Sequence, residues 1–502
     1  MRINLPTHPI VPVMVLLLFT ILGIPGQIAA QTKNRPSSQE IATAAMDAGT
    51  DTSALFLDGV LAVWRYSGEG KYFHYVQQRI DLLLKKNGLT IQHGTTLVAL
   101  FQVTGQEKYL KAAEALWQEA QGQPSTLQEQ PFYAAYAALS HNDKALAQVV
   151  EELQRREPKQ GQPVSESDHY GQTLVDVLDY IPEMQPGRSI LLQLLNKWAA
   201  AKKQDDLSEL QEYTLAKAVR KGYIPRSYPE AVRKGPDKVP RKYSILFVAV
   251  EADIANLPKS GLGDHVLLDS YFNNEMKKDQ NGHPLSWHYK WEEQSNGGFS
   301  AWAGLFENTG FRPKTLPAAP TAANLRSAGM YIIVDPDIEK ENKEANFIRA
   351  EHIKTIGDWV KAGGVLVLMA NDTGNVELDH FNQLATTFGI TFKKESKGKV
   401  IGNQFEMAKL LVPAGNGIFK TAKQLYIKEY SSLKLTGPAK SVIRDKDGDH
   451  VMAIAKYGKG TVFAVGDPWL YNEYVDGRKL PPDYENFKAA RELIYWLAAQ
   501  VK

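Results

Sequence analysis

From residue 54 to about residue 235, apolar residues return every three or four positions, in segments divided by polar, Gly- and Pro-containing turns. That spacing lines one face of a helix with 3.6 residues per turn. It predicts helices over 54–66, 72–84, 95–101, 109–120, 132–139, 144–154, 170–180, 190–201 and 208–220. Serial amphipathic helices joined by short loops bury their stripes against one another, so an antiparallel helical array or toroid is expected.

Residues 223–240 are rich in Pro, Lys and Arg and read as a domain boundary. Beyond it the period changes. Short apolar runs, which suit strands buried on both faces, alternate with amphipathic segments. Strands are expected at 243–250, 330–334, 364–370, 389–393, 424–429, 441–444, 451–457 and 461–466, with helices at 347–361, 378–388 and 486–501. This order predicts a doubly wound, mostly parallel α/β sheet with an added antiparallel part.

Residues 363–382 show the grammar of this second part most clearly. Their apolar run ends abruptly in Asn371, Asp372, Gly374, Asn375, Glu377, Asp379, His380 and Asn382. Two other runs end in Asp335-Pro336-Asp337 and in Asp467, Trp469, Tyr471, Asn472 and Glu473. Ligands of open α/β sheets bind beyond the carboxyl ends of the strands, so three such ends predict one shared pocket. The polar segment 263–291, with His265, Asp269, Asn274, Glu275, His288 and Trp291, reads equally as an insertion over that pocket or as a solvated surface stretch. Asp335 and Asp337 could share a metal, hold sugar hydroxyls or cap the next helix, and capping is the better reading of either alone. Aromatic faces beside amides and carboxylates suit carbohydrate. Arg478 is a candidate partner for the acidic wall of Asp372, Glu377, Asp467 and Glu473. Asp445 to Asp449 resembles a calcium loop, but Lys456 stands where the loop needs Glu, so a hairpin turn is expected.

Composition narrows the chemistry. A net charge of +2 without a basic block gives no argument for nucleic acid. With no cysteine, disulfides, thiolate metal sites and a cysteine nucleophile are excluded. Arg2 and His8 precede an apolar run at 11–24, then Pro25-Gly26 and Ala29-Ala30, the pattern of a cleavable secretory signal. The expected organisation is a signal at 1–30, a polar tail at 31–53, a helical domain at 54–235 and an α/β domain at 240–502. The expected setting is the periplasm or exterior of a bacterium, with no membrane attachment after cleavage. No motif calls for a metal or cofactor, and the expected partner is an oligosaccharide or polysaccharide.

Several segments of the helical part carry a resemblance. Residues 104–109 (TGQEKY), 131–137 (PFYAAYA), 174–182 (LVDVLDYIP) and 216–223 (AKAVRKGY) resemble landmarks of unsaturated rhamnogalacturonyl hydrolases, glycoside hydrolase families 88 and 105. The resemblance implies an (α/α)6 barrel, here shortened, and an Asp that protonates the unsaturated uronate left by pectin lyases. The chain departs from that pattern where the acid is expected, at Leu89 to Gly94 and at Pro124 to Gln130. Thr or Gln cannot replace a general acid, because neither carries a transferable proton near neutral pH. A segment before the 174–182 helix is reduced to Ser167 to Gln172, and a tryptophan-rich stretch is replaced by Lys203 to Asp206. No catalytic residue is transferred. The second part, through WVKAGGVLVLMAND and YGKGTVFAVGDPW, is similar to flavodoxin-like, glutamine-amidotransferase-like domains of secreted glycosidases, without the cysteine their amidotransferase activity needs. Hydrolysis, if any, is therefore expected at the strand ends; the alternative is a non-catalytic carbohydrate-binding or scaffold protein.

Overall fold

The computed structural model describes residues 38–49, 52–159, 164–202, 207–225, 265–279 and 281–501. The expected signal, the strand at 243–250, most of the boundary segment and residues 203–206 lie outside them. Among the described residues the first part is helical: α1 (Ser38–Ala48), α2 (Ala54–Ser67), α3 (Gly70–Lys85), α4 (Gly94–Thr104), α5 (Glu107–Ala120), α6 (Gln130–Leu139), α7 (Asp143–Arg155), α8 (Val164–Leu178), α9 (Pro186–Ala200) and α10 (Glu209–Arg220). Each expected helix is present. The polar tail needs correction, because α1 forms within it. Its Ala-rich sequence favours helix but offers only Ile41 and Met46 as large apolar residues, too few to mark a period, and it buries Ala42.

Local chemistry sets the ends. Gly68 and Gly105 adopt left-handed φ of +66° and stop α2 and α4, each returning its N–H to the last turn. Asn142 caps α7, and Ser208 with Gln211 forms a capping box on α10. Helices α2, α4, α6, α8 and α10 touch in succession, and the intervening helices pack against them. One apolar core runs through Leu57, Tyr72, Val76 and Leu97; a second runs through Leu146, Leu174, Leu195 and Trp198.

The second part is a mixed sheet. Strands β1 (His265–Asp269), β4 (Arg312–Leu316), β5 (Ala328–Val334), β6 (Val365–Met369) and β13 (Gly460–Val465) are parallel, in the order β4-β1-β5-β6-β13. The sheet continues antiparallel through β12 (His450–Tyr457), β10 (Leu433–Leu435) and β7 (Ile390–Phe392), and β11 (Lys440–Arg444) also pairs with β12. Two hairpins lie outside it: β2 (Met276–Lys278) with β3 (Pro284–Ser286), and β8 (Lys409–Leu411) with β9 (Gln424–Tyr426). Strand alternation feeds two cores. Met330, Ile332, Val365, Val367 and Phe463 face Trp302 and Phe306 of α11 (Ser300–Asn308) and Leu493 of α15 (Asn486–Ala498). Tyr331, Ile333, Leu366, Leu368 and Val462 face Ile356 and Val360 of α12 (Ala350–Ala362) and Phe381 and Leu384 of α13 (Leu378–Thr386). Helices thus cover both faces, which is why β5, β6 and β13 read as unbroken apolar runs. The Asp445 turn is the expected hairpin, closed by Asp445 N–H to Asp449 O at 2.9 Å.

The helices and the sheet meet along a polar seam. Trp64 Nε1 donates to Asp476 O (2.8 Å), Arg478 reaches Val103 O (3.3 Å), Lys221 pairs with Glu307 (2.8 Å) and Arg220 donates to Asn308 (3.2 Å). At Gly70 the backbones come so close that a Cβ would sit 2.1 Å from Gly477 O.

Candidate functional site

Because β5, β6 and β13 are adjacent and in register (Val334, Met369 and Val465 in line), the residues that follow them share one edge. Asn371 Nδ2 lies 3.4 Å from both Asp335 Oδ2 and Tyr289 Oη, and Ser431 Oγ donates to Asn371 O at 2.7 Å. The Tyr289 and Tyr471 rings lie 5.9 Å apart. Asp335 is 3% exposed and Asp467 is 2% exposed, and in each the Oδ1 is buried without a protein hydrogen bond. An unpartnered buried polar atom costs about 1–3 kcal/mol, more if charged. Asp335 (φ +46°), His288 (+61°), Tyr289 (+56°) and Glu429 (+50°) all adopt left-handed backbone here. Such conformations cost about 1–3 kcal/mol each and gather at functional sites.

The electrostatics follow from burial. Desolvation, with Glu341 and Glu275 nearby, pushes the Asp335 carboxyl well above the usual carboxylate range. Desolvation also lifts Asp467 well up, with Glu429 and Asp372 adding to it and Lys428 opposing. Glu341 is raised to about 7 by burial and Glu275. Burial, followed by Asp335 and Asp467, raises the Tyr289 hydroxyl, and burial with Asp467 raises Tyr471. Lys290 is buried beneath the cluster, donates to Asn273 O and Oδ1 at 2.6 Å each, and is lowered by burial.

Other nominated residues have structural roles. Trp291 and Trp469 are core side chains rather than exposed sugar platforms: Trp291 packs on Phe299, Trp302 and Phe306, and Trp469 is fully buried near Phe419. His265 opens β1 and so lies at the opposite edge of the sheet, against Ser327. Asp269, raised to about 6 by burial, accepts from Tyr331 Oη (2.6 Å) and from the N–H groups of Tyr271 and Phe272. Asp337 Oδ2 accepts from Asn274 N–H (2.9 Å) and Asn342 Nδ2 (2.7 Å), while its Oδ1, like those of Asp335 and Asp467, is buried without a protein hydrogen bond. Asn375 donates to Asp372 at 2.6 Å, Glu377 caps α13, and His380 stacks on Phe347. Asn472, on α14 (Asn472–Val475), clamps the 293–301 segment through Ala301 N–H, Glu293 O and Ser295 O, while Glu473 pairs with Lys479. Arg478 is not a pocket cation. It is committed to Asp476 (2.7 Å) and to the seam, over Trp64.

Sequence reasoning missed Tyr289, Lys290 and Glu341. A lysine between two aromatics in an otherwise polar stretch was the available signal for Lys290; Glu341 carries none. The described part of the segment 263–291 is neither simply an insertion nor a surface stretch: His265–Asp269 form sheet strand β1, and the β2–β3 hairpin follows, whose flanks place Glu275 and His288 at the site. No described helix is long and apolar enough to cross a membrane.

In the helical part, His93 and Gln130, from the segments 89–94 and 124–130, make structural hydrogen bonds: His93 bonds Thr90 and Thr52 O, and Gln130 bonds Ser125 and Thr126 O. Nearby residues of two helices and the turns after them tie to one another: Lys217 Nζ lies 2.7 Å from both Asp176 and Asp179, and Tyr223 Oη donates to Asp179 at 2.7 Å.

A family model described as "Domain of unknown function (DUF4350)" matches residues 292–477, a span that contains Asp335, Asn371 and Asp467 but not Glu275 or His288. Among solved structures the chain is similar to a family 105 glycoside hydrolase of C. acetobutylicum ATCC 824, at 16% identity over 53% of this chain and 92% of that one, with a TM-score of 0.35. It is also similar to an exo-beta-1,4-mannosidase of Opitutaceae bacterium strain TAV5, at 15% identity over 52% of this chain and 39% of that one, with a TM-score of 0.29. Likenesses at this level do not establish a shared fold or activity. The chain is a multidomain α and α/β protein with a carboxylate-rich cluster at three adjacent strand ends.

Proposed function

We propose that the protein is a secreted bacterial carbohydrate-handling protein whose ligand sits at the strand-end cluster, with the helical part, a remnant of an (α/α)6 toroid, acting as a brace. One contrast supports this reading. Three acids packed among the helices are satisfied: Asp58 accepts from Thr95 and Thr96, and Asp176 and Asp179 share Lys217. At the strand ends, Asp335 Oδ1 and Asp467 Oδ1 are not. A ligand rich in hydroxyls supplies both donors and acceptors to such groups, beside the hydroxyls of Tyr289 and Tyr471. The landmark resemblance points to oligosaccharides released from pectin by lyases. The burial of Trp291 and Trp469 favours hydroxyl recognition over ring stacking as the source of affinity.

The test is calorimetric titration of the secreted full chain with unsaturated galacturonyl-rhamnose disaccharides, alongside an assay for loss of the double-bond absorbance. Saturable binding is expected, weakened about tenfold or more in Asp467→Asn, as for loss of a hydrogen-bond partner in a buried site. Unchanged binding in Asp467→Asn, or crystals whose bound oligosaccharide occupies another surface, would refute the assignment. Turnover that survives in Asp467→Asn and is lost in a helical-part variant would return the chemistry to the barrel.

A further inference from the structure

We propose that Glu275, His288 and Asp335 form a binding site for a divalent first-row transition-metal ion, such as Zn2+ or Mn2+, whether or not the ligand of the strand-end cluster is a sugar. One donor atom from each residue lies within 4.8 Å of the others. His288 Nδ1 and Glu275 Oε2 are already 3.6 Å apart. Bonds of about 2.0–2.2 Å in a tetrahedral shell place neighbouring donors roughly 3.4 Å apart, so this edge of the site is close to its bound dimension.

An acidic cluster alone would not carry the assignment, because solvated carboxylates commonly gather without an ion. Here Asp335 is almost wholly buried, its Oδ2 faces Asn371 at 3.4 Å, and its Oδ1 has no protein partner. The nearby cation that could have balanced the charge, Lys290, is directed to Asn273. The imidazole is held in place: its ring stacks on Tyr289 at 4.3 Å with a 12° interplanar angle, and on Trp287 at 5.5 Å with 13°. Asn371 and Tyr289 then stand behind the donors as the outer hydrogen-bonding groups that metal ligands require.

The donor set chooses the class of ion. One imidazole nitrogen and two carboxylate oxygens, with no thiolate, suit Zn2+, Mn2+ or Fe2+ better than Mg2+ or Ca2+, which take all-oxygen shells. Three protein ligands leave a coordination position open, as in sites that bind or activate a further molecule. The ion would also fasten the β2–β3 hairpin, which lies between Glu275 and His288 in sequence, to the end of β5. A second cluster, His141, Asp279 and His283, is the natural control. It lies toward solvent, and Asp279 Oδ1 there already accepts from the N–H groups of Asn281 and His283 at 2.8 Å each.

The experiment strips the full chain with a chelator and titrates it with Zn2+ alone and Mn2+ alone, by calorimetry and, for Mn2+, by paramagnetic resonance. One equivalent should bind and raise the unfolding temperature, since a ligand of the native state stabilises it. Glu275→Gln and His288→Gln, at partly exposed positions, should each weaken binding about tenfold or more, and His283→Gln should leave it unchanged, with folding checked by circular dichroism. Absence of saturable binding by the wild type overturns the proposal. So does binding that Glu275→Gln and His288→Gln leave intact, or that His283→Gln removes.

Discussion

Replacing Lys217 with methionine keeps the aliphatic stem and removes the charge that holds Asp176 and Asp179 together. The lysine side chain is 11% exposed and each aspartate side chain 25%. Burial pushes Asp179 up, but Lys217, Lys221 and the Tyr223 hydroxyl outweigh it and hold the carboxyl at about 2, against an ordinary 3.8. A difference of nearly two units corresponds to about 2.5 kcal/mol from this carboxylate alone, at ~1.4 kcal/mol per unit. Asp176 shares the same lysine yet is raised, because for it burial outweighs Lys217. Removing one partner of a buried pair costs about 3–5 kcal/mol, and partial exposure of the aspartates places this case near 3. The sign with pH is fixed. The wild-type contribution of Asp179 is fully present above 3.8 and is lost as pH falls from there toward 2. Without Lys217 the largest influence opposing burial is gone, so the carboxyl takes up a proton at higher pH than in the wild type and the penalty of Lys217→Met shrinks toward acid. Urea unfolding near pH 7 and near pH 4 measures this. Asp176→Asn and Asp179→Asn added to Lys217→Met should recover most of the loss. A loss below about 1 kcal/mol at neutral pH, the range of exposed pairs, or one equal at both pH values, would refute the reasoning.

Two further substitutions separate structure from site. Trp291→Ala should cost about 3–5 kcal/mol in thermal or urea unfolding, as expected of a core aromatic; unchanged stability with weakened sugar binding would return Trp291 to the pocket wall. Gly70→Ala drives a methyl group into Gly477 O and should cost about 1–3 kcal/mol or more, read as a lower unfolding temperature; full tolerance would mean that the seam is looser than its backbone contact indicates.

Much of this architecture was legible in the residue pattern. Helices α2 to α10 announced themselves because each carries an apolar stripe, and β5, β6 and β13 because both faces are buried. Their parallel adjacency also followed from the alternation of strand and helix, and with it the meeting of Asp335, Asn371 and Asp467. What sequence could not convey was orientation. Asp372 and Glu377 read like pocket acids, yet one closes a turn and the other caps a helix, roles that the same residue types fill everywhere. Trp469 sits in a polar motif but turns into the core. β4 escaped notice because Arg312, Pro313 and Lys314 on an edge strand break the apolar run. β1 did so because it lies inside a stretch whose polar flanks dominate its five residues. Glu275 and His288 are far enough apart in sequence that only the β2–β3 hairpin brings them together.

The contact of Gly70 with Gly477 bears on how such a protein can be inherited. The turn that receives the helices follows α14, the short helix that Tyr471 precedes and Asn472 opens, so the bracing contact and the strand-end cluster share one short stretch of chain. A joint made of two bare backbones admits no spare volume on either side. A helical array borrowed from another gene would bring a side chain to that joint unless glycine stood at the matching position. Recombination would then displace the turn together with its tyrosine. A change at either glycine is therefore felt in both parts at once, and neither part can be exchanged without a glycine at the matching position of its partner.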